Sequence, residues 1–214
     1  MSVAALIAAL LAAVLLQGCV PVVIGAGAAA GYSSLEDRRT TGTQLDDESI
    51  EVRASNRISD RFGSRVHVNV TSYNRIALVT GEVPDGPARE EVEKIVRAVP
   101  NVRDITNDLQ VAGISSLASR ANDSYLTTKV RGRLLDTKRT KSVHVKVVTE
   151  AAVVYLMGVV TEAEADEVVE ITRNTGGVRK VVKVFEYCKT TDEACKPPAP
   201  KTATPPKTTT KATQ

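Results

Sequence analysis

Sliding this chain on itself by about 76 or 77 positions lays residues 46–111 over residues 123–187, which constrains the folded part to two copies of one small unit. Ile50, Ala54 and Ile58 match Leu126, Val130 and Leu134, in each copy an i, i+4, i+8 stripe that buries one face of a short helix. Val66-His67-Val68-Asn69-Val70 matches Val143-His144-Val145-Lys146-Val147, and both alternate with the period of a half-buried strand. A second strand follows, ending in Thr80-Gly81-Glu82-Val83 and in Met157-Gly158-Val159-Val160. The spacing then predicts a second helix over Gly86–Ala98 and Glu162–Asn174. In the first of these, Ala88, Val92, Ile95, Val96 and Val99 keep a 3.6-residue period with charges on the other face. Pro100-Asn101-Val102 and Gly176-Gly177-Val178 break these helices, and a Val-rich strand closes each copy.

Each copy therefore reads helix, strand, strand, helix, strand. This is an α+β unit in which two helices cover one face of a three-stranded mixed sheet. Such a unit is near the lower size limit for independent stability, so the bare sheet face, or the two copies against each other, is expected to supply further burial. With no Trp, five Tyr and two Phe, the cores must be aliphatic. Gly81 and Gly158 are expected to be bulges or points of close packing.

Outside the repeat, the charge-free apolar run from Val3 ends in Leu16-Gln17-Gly18-Cys19, the length and ending of a lipoprotein signal. This predicts a signal peptide over 1–18, acylation of Cys19 and a tether over 19–45. The alternative is an uncleaved membrane span, against which Pro21, Gly25, Gly27 and Gly31 interrupt the second half of the run. Val20, rather than Asp, after the cysteine implies onward export to the outer membrane. Acylation leaves Cys188 and Cys195, seven positions apart, for which a small disulfide is the expectation in an oxidising compartment. Free thiols are the alternative, and two thiols with no nearby His make an incomplete zinc site. Residues 112–122 form a linker between the copies, and 188–214 a cysteine pair with a Pro/Thr/Lys-rich tail that is expected to be disordered. The formal net charge of +3 is dominated by tail residues Lys196, Lys201, Lys207 and Lys211, so nucleic acid is not an expected partner.

The order of the lipobox, an Ala/Gly-rich spacer, Gly42–Asp47 (GTQLDD), Asn69–Tyr73 (NVTSY), Ala121–Leu135 (ANDSYLTTKVRGRLL) and Val154–Ala165 (VYLMGVVTEAEA) resembles the dual-BON-domain outer-membrane lipoprotein family. The resemblance covers roughly residues 1–187. It implies two tandem BON domains, 46–111 and 123–187, and residence on the periplasmic side of the outer membrane through acyl chains. It also implies binding of anionic, phosphatidylglycerol-like phospholipid through the second domain, and a role in envelope integrity and division-linked remodelling. Division or outer-membrane assembly proteins are then candidate partners.

No catalytic constellation emerges, and neither an enzyme activity, a cofactor nor a metal is expected. The two histidines of the chain, His67 and His144, occupy equivalent strand positions and are expected to face solvent. The first twenty residues of the copies differ more informatively. Asp46, Asp47, Glu48, Glu51 and Asp60 stand against Arg53, Arg57, Arg61 and Arg65 in the first, but only Asp123 and Asp136 against Lys129, Arg131, Arg133, Lys138, Arg139 and Lys141 in the second. On a helical wheel, Tyr125, Thr128, Gly132 and Leu135 lie opposite the core stripe, edged by Lys129 and Arg131, an arrangement suited to a headgroup boundary at which Arg133 is a further candidate contact. The family resemblance implies a lipid-inserting Trp at the position of Tyr125, hence weaker insertion here. A packed interdomain face is the other reading of this stripe. The competing function is a periplasmic chaperone or adaptor, similar to the osmotic-stress BON proteins, with the lipid serving only as an anchor.

Overall fold

The computed structural model describes residues 37–135, 137, 140, 144–192 and 195. The first unit runs α1 (Thr41–Phe62), β1 (His67–Tyr73), β2 (Ile76–Val83), α2 (Gly86–Arg97), β3 (Asp104–Asn107) and the short β4 (Gln110–Val111). The second runs α3 (Leu117–Leu134), β5 (Val145–Glu150), β6 (Val153–Val160), α4 (Glu162–Arg173) and β7 (Lys180–Tyr187). The middle strand of each sheet pairs antiparallel with the first and parallel with the last, giving β1-β2-β3, with β4 also on β2, and β5-β6-β7. Both units are α+β, as expected.

Helix limits follow their caps. Thr40 and Ser116 accept from the backbone N–H groups of Thr43 and Ser119 and start α1 and α3, while Asp85 starts α2 and a Thr161/Glu164 capping box starts α4. Residues 41–45, expected in the tether, are thus the first five residues of α1, and 117–122 of the expected linker are the first six of α3. The stripes Ile50-Ala54-Ile58 and Leu126-Val130-Leu134 are buried against their own sheets. The glycines are points of close approach: a Cβ on Gly81 would lie 2.0 Å from the His67 carbonyl oxygen, and one on Gly158 2.4 Å from that of His144.

A buried carboxylate organises each hairpin. The turns Asn74-Arg75 and Ala151-Ala152 have positive φ at both positions, which costs non-glycine residues energy. Asp47 accepts from the backbone N–H groups of Asn74 and Arg75 (2.9 and 2.7 Å), and Asp123 from those of Ala151 and Ala152 (2.9 and 2.8 Å). These two acids match at the repeat offset, and each pins the turn that follows its helix.

The sheet faces not covered by helices meet each other. Tyr73, Leu78, Tyr155 and Met157 form a third core with Val148, Val153, Val159, Val182 and Val184 packed on it, so the units share one apolar layer between their sheets. Polar contacts frame it: Tyr73 donates to the His144 carbonyl, Tyr155 to Asp108, Asn69 to Glu150, and Arg103 pairs with Glu186. Arg38, just before α1, crosses to the second unit and binds Glu164 through two 2.8 Å hydrogen bonds.

This packing corrects the reading of the histidines. The face of β1 and β5 away from the valines is the partner unit's sheet rather than solvent. His144 is accordingly buried, and His67 is half-buried with Nδ1 2.9 Å from Glu82 Oε2.

Candidate membrane-facing site

Helix α3 carries two faces. Leu126, Val130 and Leu134 belong to the core, whereas Tyr125 is 62% exposed and Leu135 71% exposed on the other side. Thr128, Arg131, Gly132 and Arg133 are exposed with them and Lys129 is half-buried. A Cβ on Gly132 would meet nothing within 4 Å, so packing does not demand glycine there. Tyr125, Thr128, Gly132 and Leu135 are exposed rather than packed between the units, while Arg131 at the edge of the stripe lines a cavity that both units share.

The cations of this face are held by backbone rather than by acids. Lys129 Nζ donates to the Gly176 carbonyl at 2.8 Å and lies 5.9 Å from the Tyr125 ring centroid. Arg131 donates to the Val147 carbonyl, and Arg133 to the Asn174 carbonyl and the Thr175 hydroxyl. None of the three is ion-paired among the described residues, so their charge is available to an outside anion. Lys138, Arg139 and Lys141 lie outside the described residues.

Arg133 has a structural role that its charge alone conceals. At the equivalent position Arg57 donates to the Ala98 carbonyl, and both carbonyls belong to the residue that ends the second helix of the unit. Fastening that helix is therefore a function common to both copies. By contrast, Ser49, Ser55 and Ser59 stand where the second copy has Tyr125, Arg131 and Leu135.

At the other end of the chain, Cys188 and Cys195 are joined in a disulfide with Cα atoms 6.2 Å apart, closing a small loop after β7. Cys19 and the signal region lie outside the described residues. Among the described residues, no helix is long and apolar enough to cross a membrane.

Two copies of a helix-strand-strand-helix-strand unit on one sheet-to-sheet core define the class, and residues 46–113 and 122–189 both match the BON domain. The chain belongs to the dual-BON family of outer-membrane lipoproteins represented by DolP. It is 38% identical over 178 residues to the outer membrane lipoprotein DolP of Haemophilus influenzae, an alignment covering 82% of this chain and 92% of that protein. It is also similar to a 21 kDa hemolysin of Actinobacillus pleuropneumoniae, at 33% identity over 71% of this chain and 79% of that one. The osmotically-inducible protein Y of Escherichia coli K12 is 29% identical, over 71% and 78% of the two chains.

Proposed function

We propose that this protein is a non-enzymatic, acyl-anchored module of the outer membrane. In this reading its second BON domain rests on anionic phospholipid through α3 and thereby supports envelope integrity and division-linked remodelling. Cys19 supplies the anchor after removal of the preceding segment. The observation that carries the reading is the exposure of Tyr125 and Leu135 beside Lys129 and Arg131, cations with no carboxylate partner among the described residues. Tyr125 would place its ring at the headgroup level while each cation contributes about 1 kcal/mol of attraction to an anionic surface. A domain already confined by acyl chains needs no more than a few such contacts to lie down.

The test is flotation of the unlipidated chain from Asp37 onward with vesicles containing or lacking phosphatidylglycerol. Binding should require the anionic lipid, and Tyr125→Glu should abolish it while leaving the circular dichroism unchanged. Equal binding by Tyr125→Glu would remove the membrane role of α3. The similarity to osmotically-inducible protein Y would then favour the periplasmic adaptor reading.

A further inference from the structure

The interface between the two units is not symmetric at its polar ends. At one end the equivalents His144, Val159 and Tyr73 come together, with the Tyr73 hydroxyl bonded to the His144 carbonyl. At the other, the matching positions hold His67, Glu82 and Glu150. Neutral residues at one end are replaced by two carboxylates at the other.

His67 and Glu82 face each other as register partners on β1 and β2, and Glu150 reaches them from the end of β5. One ligand atom from each of the three lies within 4.8 Å of the others. Glu82 and Glu150 are 6% and 7% exposed, yet neither is paired with Lys or Arg among the described residues. Besides His67, Glu82 accepts from the Ser115 backbone N–H at 3.2 Å, and Glu150 accepts from Asn69 Nδ2 at 2.9 Å. Two buried carboxylates side by side without an ion-pairing Lys or Arg are unfavourable in a low-dielectric setting, although Arg120, Arg131 and Lys146 also line the cavity that His67 and Glu150 share.

We infer that His67, Glu82 and Glu150 form a divalent-cation site, of the class that takes zinc, which bridges the two BON domains. One imidazole and two carboxylates are a donor set that zinc accepts, with water completing a tetrahedron. Ligand atoms around such an ion stand about 3.3 Å apart at bond lengths of roughly 2.0–2.1 Å. Rotamer adjustment of the three side chains therefore closes the set without moving the strands. Asn69 and the Ser115 N–H stand behind the carboxylates as orienting partners. Entry is open, since Glu150 lines two interdomain cavities of about 470 and 390 Å³, the first shared with Glu82 and the second with His67. Because the ligands come from both units, bound cation favours the docked arrangement over any separated one.

The chain has only two histidines, which makes the test specific. Zinc is titrated calorimetrically into the purified full chain in detergent, carrying Cys19→Ala so that no free thiol competes, and cobalt is followed by its visible absorption. One equivalent should bind, and the melting temperature should rise with zinc. Glu150→Gln, Glu82→Gln and His67→Asn should each weaken binding at least tenfold and remove the melting shift, while His144→Asn should leave both unchanged. Should His67→Asn fail to fold, the isosteric Glu150→Gln carries the test. The site is wrong if the Cys19→Ala chain binds no stoichiometric zinc or cobalt, if Glu150→Gln binds zinc as tightly, or if His144→Asn weakens binding as much as His67→Asn.

Discussion

Helices α1 and α3 have the same inner face and opposite outer ones. Both bury an i, i+4, i+8 aliphatic stripe, both use an aspartate to pin the following hairpin, and both use an arginine to fasten the end of the second helix. What duplication left free was the outward surface. In α1, exposed Leu45 and Val52 sit among Asp46, Glu48 and Glu51, and at the other end Arg61 is paired with Glu91. In α3, besides Leu117 at its start, the exposed apolar residues are Tyr125 and, just past its end, Leu135, beside cations that have no acidic partner among the described residues. A buried face answers to packing and diverges slowly in chemistry. An exposed face answers only to what it meets, so the difference between the copies is what the proposed membrane contact rests on.

The shared part of the comparison is the easiest to break. Asp47→Ala should be the most damaging single change, because Asp47 also accepts from the Ser72 hydroxyl and pairs with Arg39. Losing it orphans several buried donors and should cost about 3–5 kcal/mol by urea denaturation. Asp123→Ala, which frees two backbone N–H groups, should cost about 2–3 kcal/mol. Equal costs would mean that the turns, and not the wider network around Asp47, set the energy.

The divergent part is tested by charge. Lys129→Glu with Arg131→Glu should weaken binding to phosphatidylglycerol vesicles by more than about 2 kcal/mol and flatten its dependence on ionic strength. The corresponding acidic changes at Arg53 and Ser55 of α1 should leave binding unaltered. Sedimentation at two salt concentrations reads both.

Two interdomain carboxylates respond oppositely to pH. Burial pushes Glu164 up, but the hydrogen bonds from Arg38 and Thr161 and the Arg38 charge together outweigh it and hold the carboxyl below its ordinary range. Its contribution is therefore present above the unfolded value of about 4.3 and lost as pH falls through the lowered one. Glu150 is raised by burial, so its contribution is present below that value and lost as pH rises through the raised one. In metal-free buffer, Glu164→Gln should destabilise at neutral pH, with the penalty vanishing in acid. Glu150→Gln should stabilise the fold at neutral pH and do nothing in acid. Unfolding midpoints between about pH 3 and 7 would show the two trends crossing.

The smallest effect sharpens the assignment of Arg133. Arg57→Ala should cost under about 1 kcal/mol, since it removes one exposed hydrogen bond to a helix end, and Arg133→Ala slightly more, since it also frees the Thr175 hydroxyl. If Arg133→Ala also weakens lipid binding as much as Lys129→Ala, the arginine serves both purposes.

Much of this organisation was legible as periodicity. The stripes, the alternating strands, the helix breakers and the offset between copies gave both BON units, because core-facing positions must recur with the geometry of the element that carries them. Periodicity also separated Tyr125 and Leu135 from Leu126, Val130 and Leu134. The roles of Asp47 and Asp123 were hidden, although both copies carry an acid at the same repeat position. A formal charge count does not reveal which acids are buried against backbone N–H groups. The histidines were misread for a related reason: alternation tells which residues share a face, but not what that face meets.

By itself, then, the sequence determined the repeat, the local elements and the inward faces, since these depend on contacts within about sixty residues. Only the tertiary structure decided that the two bare sheets close on each other, that Arg38 straps the start of the first unit to the second, and that His67, Glu82 and Glu150 converge. Those contacts join residues from different copies, and a pattern that is periodic within each copy holds no information about how the copies are turned toward one another.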